Sequence, residues 1–375
     1  MHEGCLSLMS KMKAILLLLI LWSTMVFGAF LDTKYPSYGY VFDEFDVDES
    51  YIYDDSFVAF VMKNERKLKT FYRRSIRRGK EILPMMQGQL IDDGVSDLFI
   101  YLSMVESGFS SSIVSPKKAV GLWQFMPATA RHYSLTVCNN YDERCDVVSA
   151  TSAAIRYLNK LHRQFGKWYL AALAYNCGEG CLAKAIKRAG TDELSILTDA
   201  SLKYLPLETR QYMKKILLVA MIGENETLGY GSKTNSTLEN QTIQVDVTGG
   251  TSLKKIAKLL KMNEKKLLNL NKSLKNGIVP KDISQYKITI PMGKLYAFYL
   301  RYEEPISVKG KEKVPKSHML LHNIQLGETL ESISKQYKAD IAEIKWANHL
   351  KDDFLTLGDI LVIPVTQNIF NTLSR

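Results

Sequence analysis

The C-terminal third of the chain repeats itself, and this limits the fold more than any other feature. Gly250-Thr251-Ser252-Leu253 aligns with Gly327-Glu328-Thr329-Leu330, and the same 77-residue offset carries Ile256 onto Ile333, Leu267 onto Ile344 and Asn271 onto Asn348 without a gap. Each copy closes on a matching segment, Ile288-Thr289-Ile290-Pro291 and Leu361-Val362-Ile363-Pro364, with a four-residue difference in loop length. A Thr or Ser before an apolar-periodic run starts a helix, and a short apolar run stopped by Pro reads as a strand. The spacing therefore predicts two small βααβ units, at 243–292 and 319–366, separated by a Lys- and Pro-bearing linker over 303–318.

Upstream, residues 223–242 (GENETLGYGSKTNSTLENQT) are polar, Gly- and Asn-rich and nearly without large apolar side chains, the composition of a linker. Before them apolar residues recur at helical spacing, as in Ala154, Leu158, Leu161 and Phe165, so 86–222 is expected to be a mostly α domain. Residues 29–85, Tyr- and Asp-rich and then basic, read as an N-terminal extension in a supporting helical role. The chain is thus multidomain, and at 46% hydrophobic and 23% charged it is too apolar to be disordered.

The balance of 49 Lys and Arg against 39 Asp and Glu gives a net charge of +10, which suits an anionic or polar partner. Nucleic acid, an anionic membrane and a wall polymer fit equally until the N-terminus is read. Lys11 and Lys13 precede an uncharged apolar run from Ala14 to Val26, and Val26-Phe27-Gly28 suits signal peptidase. Residues 1–28 are expected to be a signal peptide. An uncleaved anchor is the alternative, although the run is shorter than the roughly 20 residues a spanning helix needs. Export, to a periplasm or the cell envelope, removes nucleic acid from the partners.

In an oxidising compartment Cys138, Cys145, Cys177 and Cys181 become disulfide candidates, the short loops favouring Cys138 with Cys145 and Cys177 with Cys181. Their C-x6-C and C-x3-C spacings match no common zinc pattern, and the six His form no ligand motif, so no metal or other cofactor is expected. No Gly-rich phosphate loop is present, and the Lys-rich stretch 254–275 reads as the solvated face of helices.

Chemistry concentrates around Glu106. Ser96 can cap a helix that carries Leu98, Tyr101, Leu102 and Val105 on one face, and Gly108 closes it. Glu106 then sits at the negative end of a helix dipole beside apolar neighbours, and both effects favour its protonated form. A carboxyl still neutral near pH 6 can serve as a general acid. The string that follows is Glu106-Ser107-Gly108-Phe109, Ser115-Pro116, Ala119-Val120-Gly121-Leu122-Trp123-Gln124-Phe125-Met126-Pro127, then Leu173-Ala174-Tyr175-Asn176 and Glu208-Thr209-Arg210-Gln211-Tyr212.

In these motifs, and in their order, residues 86–222 resemble the catalytic domain of lytic transglycosylases, with its goose-type-lysozyme-like fold. The two repeats resemble LysM modules, which bind the N-acetylglucosamine-containing glycans of peptidoglycan and chitin. His322-Asn323-Ile324, Trp346-Ala347-Asn348 and Leu357-Gly358-Asp359-Ile360-Leu361-Val362-Ile363-Pro364 make the second copy the closer match; the first, with Gly249-Gly250-Thr251 and many Lys, is degenerate. The resemblance implies peptidoglycan glycan strands as partner, with other cell-wall enzymes as further candidates. It makes Glu106 the single acid and base, Ser107 a neighbour that helps fix it, and Gln124 a wall of the glycan groove. Tyr175 and Asn176 would lie against the carboxyl and the sugar, and Tyr212 would hydrogen-bond near Glu106.

A hydrolytic lysozyme would need a second carboxylate. Glu179, between Gly178 and Gly180, reads as a loop residue, and Asp142, Glu143 and Asp146 read as surface. A lysozyme-like hydrolase and a catalytically silent wall-binding protein are the alternatives. Trp123 and Phe125 flank Gln124, where they can stack on sugars or pack inside.

Overall fold

A computed structural model describes residues 31–226, 242–302 and, short gaps aside, 318–372. The expected signal peptide lies outside the described residues, as do most of both linkers. The chain divides into two compact units, Met1–Thr237 and Leu238–Arg375. Among the described residues no helix is long and apolar enough to cross a membrane.

The first unit is helical: α1 (Tyr38–Glu44), α2 (Asp55–Gly79), α3 (Leu83–Asp92), α4 (Ile100–Ser107), α5 (Pro127–His132), α6 (Val147–Phe165), α7 (Trp168–Cys177), α8 (Glu179–Ala189), α9 (Leu194–Thr198) and α10 (Leu207–Asn225). Helix α10 is buried on every side from Ile216 to Gly223, as an all-round apolar helix must be, and α1, α2, α4, α7 and α9 pack around it. It runs past Gly223 to Asn225, into the stretch expected to be linker. Gly223 is there because of a helix-to-helix contact: a Cβ at this position would fall 2.1 Å from the Tyr101 hydroxyl, which donates to Glu224 at 2.7 Å.

Residues 31–92 share this core. Phe42, Phe45 and Phe57 are fully buried, and the Phe45 ring lies 5.0 Å from that of Phe99. Phe45 also accepts a bond from the Tyr169 N–H, and Asn225 at the end of α10 bonds both Ser37 and the Lys34 carbonyl.

In the second unit both copies form the expected βααβ arrangement. β1 (Thr242–Thr248), α11 (Leu253–Leu259), α12 (Glu264–Leu270) and β2 (Gln285–Pro291) make the first, so Thr242 belongs to a strand instead of the linker. After α13 (Leu295–Arg301), the second is β3 (His318–Asn323), α14 (Leu330–Tyr337), α15 (Ile341–Ala347) and β4 (Ile360–Val365). Each strand pair is antiparallel, running from Thr242↔Pro291 to Thr248↔Gln285 and from His318↔Val365 to Asn323↔Ile360.

The repeated Asn explains the repeat. Asn271 donates to the carbonyls of Leu267 (2.9 Å) and Thr289 (2.7 Å) and accepts from the Thr289 N–H, 2.7 Å away. Asn348 does the same with Ile344 and Val362, at 2.7 Å each. In both copies this side chain ties the end of the second helix to the return strand.

Candidate active site

Helix α4 ends where the sequence says it should. Gly108 adopts the left-handed conformation (φ 57°) and its N–H bonds the Met104 carbonyl, which leaves Glu106 in the last turn. Helix α2 lies against that end: Arg78 donates to the Gly108 carbonyl, and a Cβ on Gly108 would meet Arg78, Ser75 and Phe71 within 3.3 Å. The N-terminal segment therefore positions the Glu106 turn directly.

Two further segments reach Glu106, and a third is tied to them. From α10, the Tyr212 hydroxyl donates to the Glu106 carboxyl at 2.5 Å. From α7, the Tyr175 hydroxyl donates to the Trp123 carbonyl at 2.7 Å, which binds this helix to the turn carrying Gln124. Gln124 holds a positive φ of 49°, and its amide donates to the carbonyls of Gly121 (2.9 Å) and Ile113 (3.3 Å). Asn176 accepts from Thr209 at 2.8 Å, which ties the end of α7 to α10.

Burial raises the Glu106 carboxyl to about pH 7, the nearby charge of Glu208 adds to the rise, and the Tyr212 hydrogen bond and Lys215 oppose it. Burial and the Glu106 charge push the phenols of Tyr175 and Tyr212 well above their usual range, so both remain donors. The arrangement can deliver a proton near neutral pH from one carboxyl and receive it back.

Other sequence readings change. Ser107 is buried and donates to the Ser103 carbonyl (3.2 Å) one turn back in the helix. Trp123 is fully buried, its indole N–H donating to Thr151 at 3.0 Å, and Phe125 is buried too; neither is a sugar platform. A row of half-buried rings, Tyr175, Tyr157 and Tyr133, spaced 5.2 and 5.0 Å apart, supplies an aromatic wall that sequence reasoning missed. Their spacing spans three segments of chain, so no local pattern announces it.

Asp142 and Asp146 are not surface residues. Asp142 grips the buried Arg144 through two bonds of 2.9 and 2.8 Å, and Arg144 in turn donates to the carbonyls of Lys118 and Phe125. Asp146 caps α6 by accepting from Ser149. Glu143 accepts from the Thr136 N–H and the Tyr141 hydroxyl. This loop clasps the Gln124 turn from behind, and Gly121 allows the contact, since a Cβ there would fall 1.8 Å from the Arg144 carbonyl oxygen. Glu179 opens α8 and pairs with Lys160.

Cys177 and Cys181 are not joined in the expected disulfide. Cys145 is buried while Cys138 is exposed. Cys177 and Cys181 meet across the Gly178 joint as thiols, and burial with the neighbouring thiol pushes Cys177 far above the usual range.

Residues 87–197 match the Transglycosylase SLT domain, 241–305 the LysM-like domain of lytic transglycosylase MltD, and 322–364 the LysM domain. The chain is 30% identical, over 79% of its length, to membrane-bound lytic murein transglycosylase D of Escherichia coli K12. Its helical unit carries a Transglycosylase SLT domain. The chain spans 66% of that relative's length. It is also 35% identical over 36% of its length to the peptidoglycan transglycosylase gp16 of Escherichia phage T7, of which it covers 10%. A putative tributyltin chloride resistance protein of Alteromonas sp. M-1 is 42% identical over 23% of the chain and 42% of its own length. The lytic transglycosylase domain match stops at residue 197, before the helix that carries Tyr212, and begins at 87, after the segment that carries Arg78.

Proposed function

We propose that the protein is a peptidoglycan lytic transglycosylase, exported to the periplasmic side of the envelope on the segment 1–28, with Glu106 as its one acid and base. Glu106 protonates the oxygen of the β-1,4 bond between N-acetylmuramic acid and N-acetylglucosamine, and the bond to the anomeric carbon breaks with help from the substrate's N-acetyl group. The resulting carboxylate takes the proton of the muramic acid 6-hydroxyl, whose oxygen closes on the anomeric carbon to give a 1,6-anhydro end. Gln124, Asn176 and Tyr175 hold the sugar, and Tyr212 orients the carboxyl.

The carrying observation is a carboxyl that titrates near 7, bonded to a phenol that stays protonated. The second LysM domain supports retention on the wall: an open cleft of about 420 Å³ is lined by Ile324, Asn348, Leu350, Phe354 and Thr356, and Phe354, 86% exposed, is available for sugar stacking. Hydrolysis is the second reading because Glu208 lies close enough to act on Glu106, but that side chain is exposed and faces Lys117 at 3.9 Å.

Mass spectrometry of muropeptides released from purified sacculi separates the readings. Products lighter by one water than ordinary reducing ends are expected, and Glu106→Gln should abolish them. Ordinary reducing ends would mean hydrolysis, and sacculus binding with no products a silent wall-binding protein.

A further inference from the structure

Helix α8 and the turn leading into α10 enclose an open cleft of about 490 Å³ whose charged lining is all of one sign. Lys184 and Arg188 come from α8, Lys203 from the turn and Arg210 from α10. Among the described residues none of these four makes an ion pair. Arg210 is only 8% exposed, and its Nε and Nη1 donate to the carbonyls of Leu205 (3.0 Å) and Asp199 (3.1 Å). Those bonds fix the guanidinium plane at the cleft wall. Arg188 lies over the Tyr204 ring, 5.7 Å from its centre. Two acids that flank this turn have other partners: the Asp199 carboxylate accepts from Ser201 and Leu202, and Glu208 is exposed near Lys117. A preset arginine among unpaired cations is an anion site, and guanidinium geometry suits a carboxylate.

The cleft shares a wall with the Glu106 site. Leu205, Pro206, Leu207 and Arg210 line it, and Thr209 in the same turn bonds Asn176 at the end of α7. Cys181 also lines the cleft, next to Cys177 at the end of α7. A ligand here would sit beside the sugar held by Asn176.

We propose that this cleft binds the carboxylates of the short peptide that branches from muramic acid, so that the enzyme reads the peptide substitution of the strand it cleaves. The proposal rests on the function given above, because peptidoglycan is the glycan whose sugars carry such acidic peptides.

The test compares the full chain with its Lys184→Glu/Arg188→Glu double variant, both changes being on exposed side chains outside the Glu106 site. Two substrates are used, glycan strands bearing their peptides and the same strands stripped by an amidase. The parent should favour peptide-bearing strands by about tenfold, the scale of one charge-assisted bond. The double variant should lose the preference with its rate on stripped strands unchanged. No preference in the parent, or an equal loss on both substrates in the variant, overturns the proposal. Calorimetric titration with the free L-alanyl-γ-D-glutamyl-diaminopimelyl-D-alanine tetrapeptide needs no cleavage; salt-sensitive binding to the parent and none to the variant is expected. Peptide binding without cleavage of either strand would sink the enzymatic reading and keep the cleft. Cleavage without peptide binding, or binding to phosphatidylglycerol vesicles in its place, would sink the cleft.

Discussion

Glu106 shows how little of an acid's behaviour is its own. Its burial raises it to about 7, the Tyr212 hydroxyl stabilises its charged form, and Glu208 opposes that form. Removing the phenol by Tyr212→Phe should therefore raise the Glu106 pKa, moving the alkaline limb of kcat/KM upward by about one pH unit, since a bond to a charged group contributes 1.5–3 kcal/mol and one unit is 1.36. Glu208→Gln removes a like charge and should move the limb the other way, below 7. Shifts of the same sign in both variants would mean that neither contact sets the proton affinity. The position of Glu106 before Gly108 and the order of the motifs were legible in the sequence because helix caps are local; its partners Tyr175, Tyr212 and Glu208 lie far along the chain, and only a family resemblance pointed to the first two.

Among the elements, the loop that presents Gln124 depends on a contact no side-chain pattern reveals. Gly121 has φ 87° and backs onto the Arg144 carbonyl, a backbone atom that cannot swing away. Gly121→Ala should cost about 3 kcal/mol in denaturant unfolding and disable cleavage. Gly190→Ala, also at positive φ but with open space around it, should cost only about 1 kcal/mol. The 77-residue repeat exposes a second such device. Asn348→Ala cuts the tie between α15 and β4 and should lower the melting transition of the C-terminal unit, by about 2 kcal/mol, without changing the pH profile of cleavage. The repeat showed that this Asn mattered, while its role as a helix-to-strand tie appeared only with the packing.

At the level of the whole molecule, the N-terminal segment is part of the helical unit and not an accessory to it. Phe42, Phe45 and Phe57 fill its core, Ser37 and Lys34 receive the end of α10, and Arg78 holds the Glu106 turn. Deleting residues 31–86 should therefore leave a chain without cooperative thermal unfolding, although the matched transglycosylase domain begins at 87. A sharp calorimetric transition for the helical unit of that truncated chain would show the segment to be dispensable. The sequence by itself determined the helical character of the first unit, the two βααβ repeats and the turn that ends at Gly108, because periodicity, caps and repeated turns are written within a few residues. Tertiary structure alone decided that Gly223 continues a helix under Tyr101, that Trp123 packs inside, that Asp142 and Asp146 are buried, and that four unpaired cations face one cleft. Those outcomes depend on which distant side chains share a space, and burial and electrostatics act across space, whatever the separation along the chain.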